Sequence, residues 1–204
     1  MWFKKQKISS EEEVLLASHN LKNGSAEAFK ILYNAYGQKV YRFCLRLLGD
    51  VELANDAFQE IFIKVYEKRN TFQSDNFVGW LFKIARNTCI NYLRNKKDTL
   101  EIEDVYYYND SYETEDYGLK REIKKAISQL PDSLREALIL REYQDCTYQE
   151  IANILDIDVS LAKVRVYRAR IILKKLLQHL RKEINESWIF NNEVYWWWIN
   201  IRRR

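Results

Sequence analysis

Residues 145–177 read "DCTYQEIANILDIDVSLAKVRVYRARIILKKLL", and this stretch decides the fold of the second half of the chain. Thr147 with Glu150 three residues later has the pattern of a capping box, which predicts a helix start. A short apolar face follows at helical spacing: Ile151, Ala152 and Leu155. Residues 156–158 are the predicted turn, and Ser160 is expected to cap a second, longer helix. A short helix, a tight turn and a longer helix are typical of the helix-turn-helix motif.

The second helix of this motif carries one sign of charge. Residues 159–182 contain no acidic residue and eight basic ones: Lys163, Arg165, Arg168, Arg170, Lys174, Lys175, Arg181 and Lys182. In a helix-turn-helix the second helix enters the major groove, with its early side chains at base edges and flanking cations on phosphates. This position suits Lys163 for base or phosphate contact, and Arg165, Arg168 and Arg170 for backbone anchoring. A basic helix bundled in a larger protein is the alternative, and the capping box and turn favour DNA.

A second basic stretch, residues 77–97, reads "FVGWLFKIARNTCINYLRNKK" and has five basic residues and no acidic one. Helical spacing predicts one core side: Leu81, Ile84, Ala85, Thr88 and Tyr92. Another side forms a polar stripe headed by an indole: Trp80, Lys83, Asn87, Asn91 and Arg94. Unpaired bases stack on aromatic rings while cations follow the backbone, so this stripe is a candidate surface for a single strand. Trp80 alone could equally be a core residue.

Three more helices are predicted before this stretch. Gly24–Ser25 and Gly49–Asp50 punctuate the chain, and Ser9–Ser10 before three glutamates indicate an earlier helix start. The first long helix has one apolar face: Phe29, Leu32, Tyr33, Tyr36, Val40, Phe43, Cys44 and Leu47. The next, from Val51 to about Arg69, has an inner face of its own: Ala54, Ala57, Phe58, Ile61, Phe62 and Val65.

An acidic segment separates the two halves. Residues 98–118 hold eight acidic residues and no Lys or Arg, and show no sustained helical period, which predicts a flexible linker. We therefore predict an all-α protein of two small helical domains, the second ending in the helix-turn-helix. The expected boundaries are 1–97 for the first domain, 98–118 for the linker, 119–182 for the second domain and 183–204 for a Trp/Arg-rich tail of unknown role.

Composition excludes several kinds of protein. The 204 residues include one Pro and five Gly, and 30% are charged. Such a composition favours helices. Three distant cysteines and two histidines lack ligand spacing, so we expect no metal, disulfide framework or cofactor. The start of the chain lacks the apolar core of a signal peptide, and no run reaches the roughly 20 apolar residues of a membrane span. A cytoplasmic protein is expected.

Two blocks of sequence resemble the extracytoplasmic-function (ECF) sigma factors, small specificity subunits of bacterial RNA polymerase. The block "EAFKILYNAYGQKVYRFCLRLLGDVELANDAFQEIFIKVYEKRNTF", together with residues 77–97, is similar to the second conserved region of that family. The block "LPDSLREALILREYQDCTYQEIANILDIDVSLAKVRVYRARIILKKLL" is similar to the fourth. The two occur in the family's order and cover nearly all of residues 20–182.

The resemblance implies roles for individual residues. The residues that would dock on the largest polymerase subunit are Asp56, Gln59 and Glu60. Our helical count places Ile63 on the same outer face. A loop from Phe72 to Phe77 resembles the one that captures a flipped base of the minus-ten element. The melted strand would be supported by Trp80, Lys83, Asn87, Asn91 and Arg94, and the minus-thirty-five element would be read by Ser160, Lys163, Arg165, Arg168 and Arg170.

As a function, the resemblance implies a sigma factor that binds core RNA polymerase and directs promoter recognition, DNA melting and initiation. Its partners would be core polymerase, promoter DNA as duplex and melted strand, and an anti-sigma factor, with no small-molecule substrate and no enzymatic activity. One alternative is a stand-alone regulator whose helix-turn-helix binds an operator without polymerase. Another is a metal-dependent nuclease using Asp56 and Glu60, although no further carboxylate or His completes such a site in the pattern.

Two parts of the chain depart from the family. Where members often have Gly, Pro and Gly in the turn, this chain has Asp156, Asp158 and Ser160. Leu161 and Val164 replace the Thr and Ser common early in the recognition helix, which removes hydroxyl donors. The family therefore does not supply the minus-thirty-five sequence, and it offers no counterpart for the tail.

Overall fold

A computed structural model describes residues 11–73, 76–99 and 117–178. Within these ranges the regular structure is helical throughout, which confirms the all-α prediction. The first four α-helices and a short 3-10 turn are α1 (Glu11–Leu21), α2 (Ala26–Leu48), α3 (Val51–Glu67), η1 (Arg69–Thr71) and α4 (Phe77–Thr99). The second group is α5 (Tyr117–Ser128), α6 (Asp132–Tyr143), α7 (Tyr148–Leu155) and α8 (Val159–Leu176).

The chain divides into two compact units, the first holding α1–α4 and the second holding α5, α6, α8 and most of α7. Several predicted features lie outside the described residues: the Ser9–Ser10 helix start, most of the acidic linker (100–116) and the tail (183–204). The ends of the linker differ slightly from the prediction, because α4 continues to Thr99 and α5 begins at Tyr117. The sequence has no Gly or Pro between Gly79 and Gly118, so no backbone-breaking residue ends α4 at residue 97.

Capping residues set the ends of α2 and α3, as the punctuation predicted. The Ser25 hydroxyl accepts from the Ala28 amide at 3.2 Å. Gly49 ends α2 with a φ of 70°. Glycine adopts this left-handed conformation at little cost. The Asp50 carboxylate then accepts from the amides of Glu52 and Leu53 at 2.9 and 3.1 Å, which starts α3.

The core of the first unit lies between α2, α3 and α4, on the faces that the periodicity predicted. Fully buried side chains come from all three helices: Leu32, Val40, Phe43, Ala54, Ala57, Ile61, Leu81 and Ala85. Aromatic rings add to this packing, with the centroids of Tyr33 and Phe62 at 4.7 Å and those of Phe43 and Phe82 at 5.4 Å. The core fixes which sides of α3 and α4 face outward.

Two buried free thiols, Cys44 and Cys89, lie against each other in this core. A hydrogen bond with Cys89, together with burial, raises the pKa of the Cys44 thiol well above its usual value. Both cysteines therefore act as small apolar residues that join α2 to α4.

The second unit has its own apolar core. It is formed by Ile123, Ala126, Ile127, Leu130, Leu138, Ala169 and Leu173, from α5, α6 and α8. Pro131 separates α5 from α6, as predicted. The core orients α8 by its inner face and leaves the opposite face exposed.

The helix-turn-helix is formed by α7 and α8. The capping box is complete, since the Thr147 amide donates to Glu150 Oε2 at 2.7 Å and the Glu150 amide donates to Thr147 Oγ1 at 3.2 Å. Asp156 stands in the turn with a φ of 56°, where family members often have glycine. The prediction that Ser160 caps α8 is wrong: Asp158 holds the N-cap position in extended conformation, and Ser160 lies in the first helical turn.

Candidate partner and nucleic-acid interfaces

The outer face of α3 carries the residues predicted to dock on a partner. Asp56 and Gln59 are exposed, and 58% of Ile63 is exposed. That is a large fraction for an isoleucine. Ala57 and Ile61, on the other side of the helix, are fully buried. The helical count thus placed this face correctly, and an exposed isoleucine beside a carboxylate and an amide is available to a partner.

Glu60, the fourth predicted docking residue, is half-buried and already engaged. Its carboxylate forms an ion pair with Lys64, which also donates to Thr88 Oγ1 of α4 at 3.3 Å. The hydrogen bond from Lys64 lowers the pKa of Glu60, and a hydrogen bond from Tyr92 adds to this effect. Burial, together with the hydrogen bond to Glu60, raises the pKa of Tyr92 to about 12. These contacts link α3 to α4.

The polar stripe on α4 lies on the outside of the first unit. Four of its members are exposed: Lys83, Asn87, Asn91 and Arg94. On the core side, Leu81, Ala85 and Thr88 are buried, with Ile84 nearly so, and Tyr92 is half-buried. The structure therefore separates the two sides of α4 as the spacing predicted. Among the side chains that the structure describes on α4, residues 77–95, this side presents cations and amides and no carboxylate, which suits a polyanion.

Three aromatic rings pack where η1 leads into α4. The centroids of Phe72 and Trp80 are 5.3 Å apart, those of Phe72 and Phe77 5.6 Å, and those of Phe77 and Trp80 5.8 Å. The Lys22 ammonium lies 5.4 Å from the Phe72 centroid.

This packing changes what we expect of the three rings. Phe72 and Phe77 are buried and Trp80 is half-buried, so the expectation that both phenylalanines touch DNA is corrected. Their faces are covered by neighbouring rings, so they join the end of η1 to the start of α4. Trp80 is packed against both phenylalanines and is also partly accessible. It therefore combines the two roles that the sequence allowed, a core residue and a ring on which a base can stack.

On α8, the structure separates residues that the sequence grouped together. Ser160, Lys163 and Arg168 are exposed and Arg165 is half-buried. Arg170 instead donates from Nε to Glu142 Oε1 of α6 at 2.9 Å, and the two side chains form an ion pair that is largely buried. The prediction that Arg170 anchors DNA is corrected, because its guanidinium is committed to a carboxylate inside the unit.

Comparison with known families agrees with this arrangement. Residues 32–99 match the family Sigma-70 region 2, and residues 120–173 match Sigma-70, region 4. The RNA polymerase sigma-H factor of Pseudomonas aeruginosa is 32% identical over 192 residues, which cover 86% of this chain and 99% of that protein.

The chain belongs to the ECF sigma factors. The ECF RNA polymerase sigma factor SigW of Bacillus subtilis is 32% identical over 78% of this chain and 94% of its own length. Among solved structures, the sigma factor RpoE of Bartonella quintana, crystallised with the anti-sigma factor NepR, shares 28% identity. Its TM-score is 0.63, with 75% of this chain and 98% of that chain covered.

As a sigma factor, the protein binds core RNA polymerase and directs promoter recognition. A stand-alone operator-binding regulator is not favoured, because the match to region 2 spans the whole surface formed by α3 and α4. Its relatives are transcription initiation factors. No described helix is long and apolar enough to cross a membrane. Among the described residues no group of three or more His, Cys, Asp or Glu is placed to hold a metal ion.

Three features of the candidate surfaces were missed by sequence reasoning. Tyr92 was assigned to the core, but it also hydrogen-bonds Glu60 of α3. Tyr167 is strongly exposed on α8, which its position three residues after Val164 already indicated. Glu142 could not have been found as the partner of Arg170, because 28 residues separate the two in sequence.

Proposed function

We propose that this sigma factor docks on core polymerase through Asp56, Gln59 and Ile63 of α3, with Glu60 holding α3 against α4. The exposed isoleucine between polar neighbours is the observation that carries the proposal, since an exposed apolar anchor within a polar rim is typical of binding hot spots. Glu60 lies within the same face, but its carboxylate is engaged by Lys64 and Tyr92. Removing the Glu60 carboxylate would therefore change the shape of the docking surface.

We propose that the outer side of α4 holds the melted minus-ten strand. Lys83 and Arg94 are suited to phosphates, and Asn87 and Asn91 to hydrogen bonds with bases or sugars. Trp80 offers the partly accessible part of its indole for stacking. Phe72 and Phe77 act indirectly, by holding the segment that would receive a flipped base.

We propose that α8 reads the minus-thirty-five element as duplex. Ser160 and Lys163 lie in its first turns, where recognition helices contact base edges. Arg168 is exposed and suited to phosphate, and Arg165, half-buried, contributes from the flank of the helix. Arg170 is left out, since its ion pair with Glu142 holds α8 against α6.

The proposal extends to domains and partners. Residues 1–97 would form the polymerase and minus-ten domain and residues 119–182 the minus-thirty-five domain, in agreement with two units that each have their own core. We propose an anti-sigma factor as a further partner, supported by the sigma factor–NepR complex, whose sigma chain has this fold. The protein acts in the cytoplasm as a binding subunit and performs no chemical step of its own.

A titration of labelled protein against bacterial core RNA polymerase tests the docking face. We expect the triple variant Asp56→Ala, Gln59→Ala, Ile63→Ala to bind about 100-fold more weakly, ~2.7 kcal/mol, because it removes the anchor and its polar neighbours. The matched control is Lys83→Ala with Asn87→Ala, which changes exposed residues of α4 and is expected to keep wild-type affinity for core. Equal affinity of the triple variant and the wild type would refute docking through α3.

A further inference from the structure

The recognition helix α8 exposes an apolar ridge for which the phosphate contacts give no reason. Its members and their exposed fractions are Leu161 (40%), Val164 (39%), Tyr167 (64%) and Ile171 (50%). They follow one another at steps of three, three and four residues, so they lie on one side of the helix. The opposite side is fully buried: Ala162, Val166, Ala169 and Leu173.

Exposed cations flank the apolar ridge. The helical repeat of about 3.6 residues places Lys163 and Lys174 on one side of it and Arg168 and Lys175 on the other. Duplex DNA has the complementary pattern, a major groove about 12 Å wide that admits an α-helix between two rows of phosphates. An apolar ridge between two cationic rows therefore fits a groove between two anionic ones.

The start of α8 is suited to bases rather than to phosphates. Asp156 and Asp158 are both exposed there, and their carboxylates repel phosphate at that end. The first turns of a recognition helix are also those that reach base edges. Leu161 and Val164 lie in these turns, whereas Ile171 is about 15 Å beyond Leu161 along the helix.

Hydrocarbon side chains can read only one group on the floor of the major groove. Neither Leu161 nor Val164 can donate or accept a hydrogen bond, and the apolar group that a base pair presents there is the C5 methyl of thymine. We propose that Leu161 and Val164 are specificity-determining residues that contact thymine methyl groups in the minus-thirty-five element. The inference rests on the proposed function, in which α8 reads duplex DNA.

Replacing thymine by uracil tests this contact, since it removes the methyl and leaves the hydrogen-bonding edge unchanged. Holoenzyme, made from bacterial core polymerase and the full chain, first selects duplexes from a random library. Each thymine of the selected upstream element is then replaced by deoxyuridine. At one position or more we expect the wild type to bind about fourfold more weakly, ~0.8 kcal/mol per methyl-sized group.

The variants Leu161→Ala and Val164→Ala locate the contact. We expect one or both to bind the thymine duplex a few-fold more weakly and to bind thymine and uracil duplexes equally at the affected position. Ile171→Ala is the matched control, because it removes exposed apolar surface from the same ridge beyond the reading turns, and it keeps the discrimination. The comparison within the wild type needs no variant, so it stays decisive if a variant folds poorly.

Several results would overturn the inference: a selected element without thymine, equal binding of thymine and uracil duplexes by the wild type, or undiminished discrimination in both alanine variants. The last result would assign the methyl contact to another side chain. Failure of the proposed function looks different, because holoenzyme would then select no upstream element and Arg168→Ala would leave its affinity unchanged. Dependence on Arg168 without discrimination against uracil would refute only the thymine contact.

Discussion

Arg168 and Arg170 are two residues apart on the same helix, yet the structure places them in different environments. Arg168 is exposed, while Arg170 is paired with Glu142 in a largely buried site. Removing one partner of such a pair leaves a charge without compensation, so we expect Arg170→Ala to destabilise the second unit by about 2–4 kcal/mol. Arg168→Ala should change its stability by less than about 0.5 kcal/mol. Hydrogen exchange of the α8 amides in the full chain measures both effects.

For DNA binding we expect the reverse order of effects, a change in Arg168→Ala and none in Arg170→Ala. Loss of a phosphate contact flattens the salt dependence of binding by about one ion, so Arg168→Ala should lower the slope measured with holoenzyme. In Arg170→Ala the slope should be preserved wherever the protein remains folded. If Arg170→Ala lowered the salt slope while hydrogen exchange of the α8 amides stayed unchanged, Arg170 would have to be a DNA contact.

Glu60 makes the contact between α3 and α4 sensitive to acid. Its pKa lies below the ordinary value of 4.5 in the folded protein, so the stabilisation is present above pH 4.5 and is lost as pH falls through the folded pKa. We expect Glu60→Gln to cost about 0.5 kcal/mol at pH 7, or about 2–4 °C in Tm. Below pH 4.5 the difference in Tm from the wild type should shrink, because the wild-type carboxylate becomes protonated.

Thermal unfolding of both proteins between pH 7 and pH 3 checks this prediction. Glu67→Gln on α3 is the control, since this exposed carboxylate lies near the end of the same helix. A difference between Glu60→Gln and the wild type that stays constant across this range would mean that the carboxylate does not stabilise the contact. Tyr92 lies outside the window, because its pKa is raised and its contribution is lost only as pH rises from 10 towards about 12.

Within single elements, most of the surface could be predicted from spacing alone. The stripe on α4 and the docking face on α3 repeat every three or four residues, and burial follows the same period. The capping box at Thr147 was equally legible, since both partners lie within four residues. Local patterns succeed where the contacts that determine them are local.

Predictions failed where the deciding contact came from another element or from several side chains at once. Arg170 was grouped with the other cations of α8, because its partner, Glu142, belongs to α6 and is not visible in the sequence of α8. Phe72 and Phe77 looked like loop aromatics, but they are packed against each other and Trp80, and Phe77 also against Tyr36 of α2, an arrangement that no helical count contains. The turn at Asp156 was located correctly, although its left-handed backbone is visible only in the structure.

At the scale of the whole molecule, the two proposed DNA surfaces belong to units with separate cores. The α4 stripe offers amides and cations beside a partly exposed indole, which suits an unpaired strand. Under the same proposal, α8 offers a ridge suited to the groove of an intact duplex. Because we propose that the two surfaces recognise different forms of DNA, changes to each are expected to impair different steps of initiation.

A premelted template separates those steps. We expect a variant with Lys83→Ala, Asn87→Ala, Asn91→Ala and Arg94→Ala to form holoenzyme and to bind duplex promoter within a few-fold of the wild type. Its opening of the minus-ten region, followed by permanganate reactivity of unpaired thymines, should fall by about tenfold or more, because the separated strand loses its contacts. A template with a mismatched bubble at minus ten needs no melting and should restore much of the transcription.

The matched control is Lys163→Ala with Arg168→Ala, whose defect lies in duplex binding and should persist on the bubble template when the upstream element is present. If the bubble rescued the α8 variant and failed to rescue the α4 variant, the two surfaces would have to exchange roles, since only a surface that stabilises the open strand is relieved by opening the strand in advance.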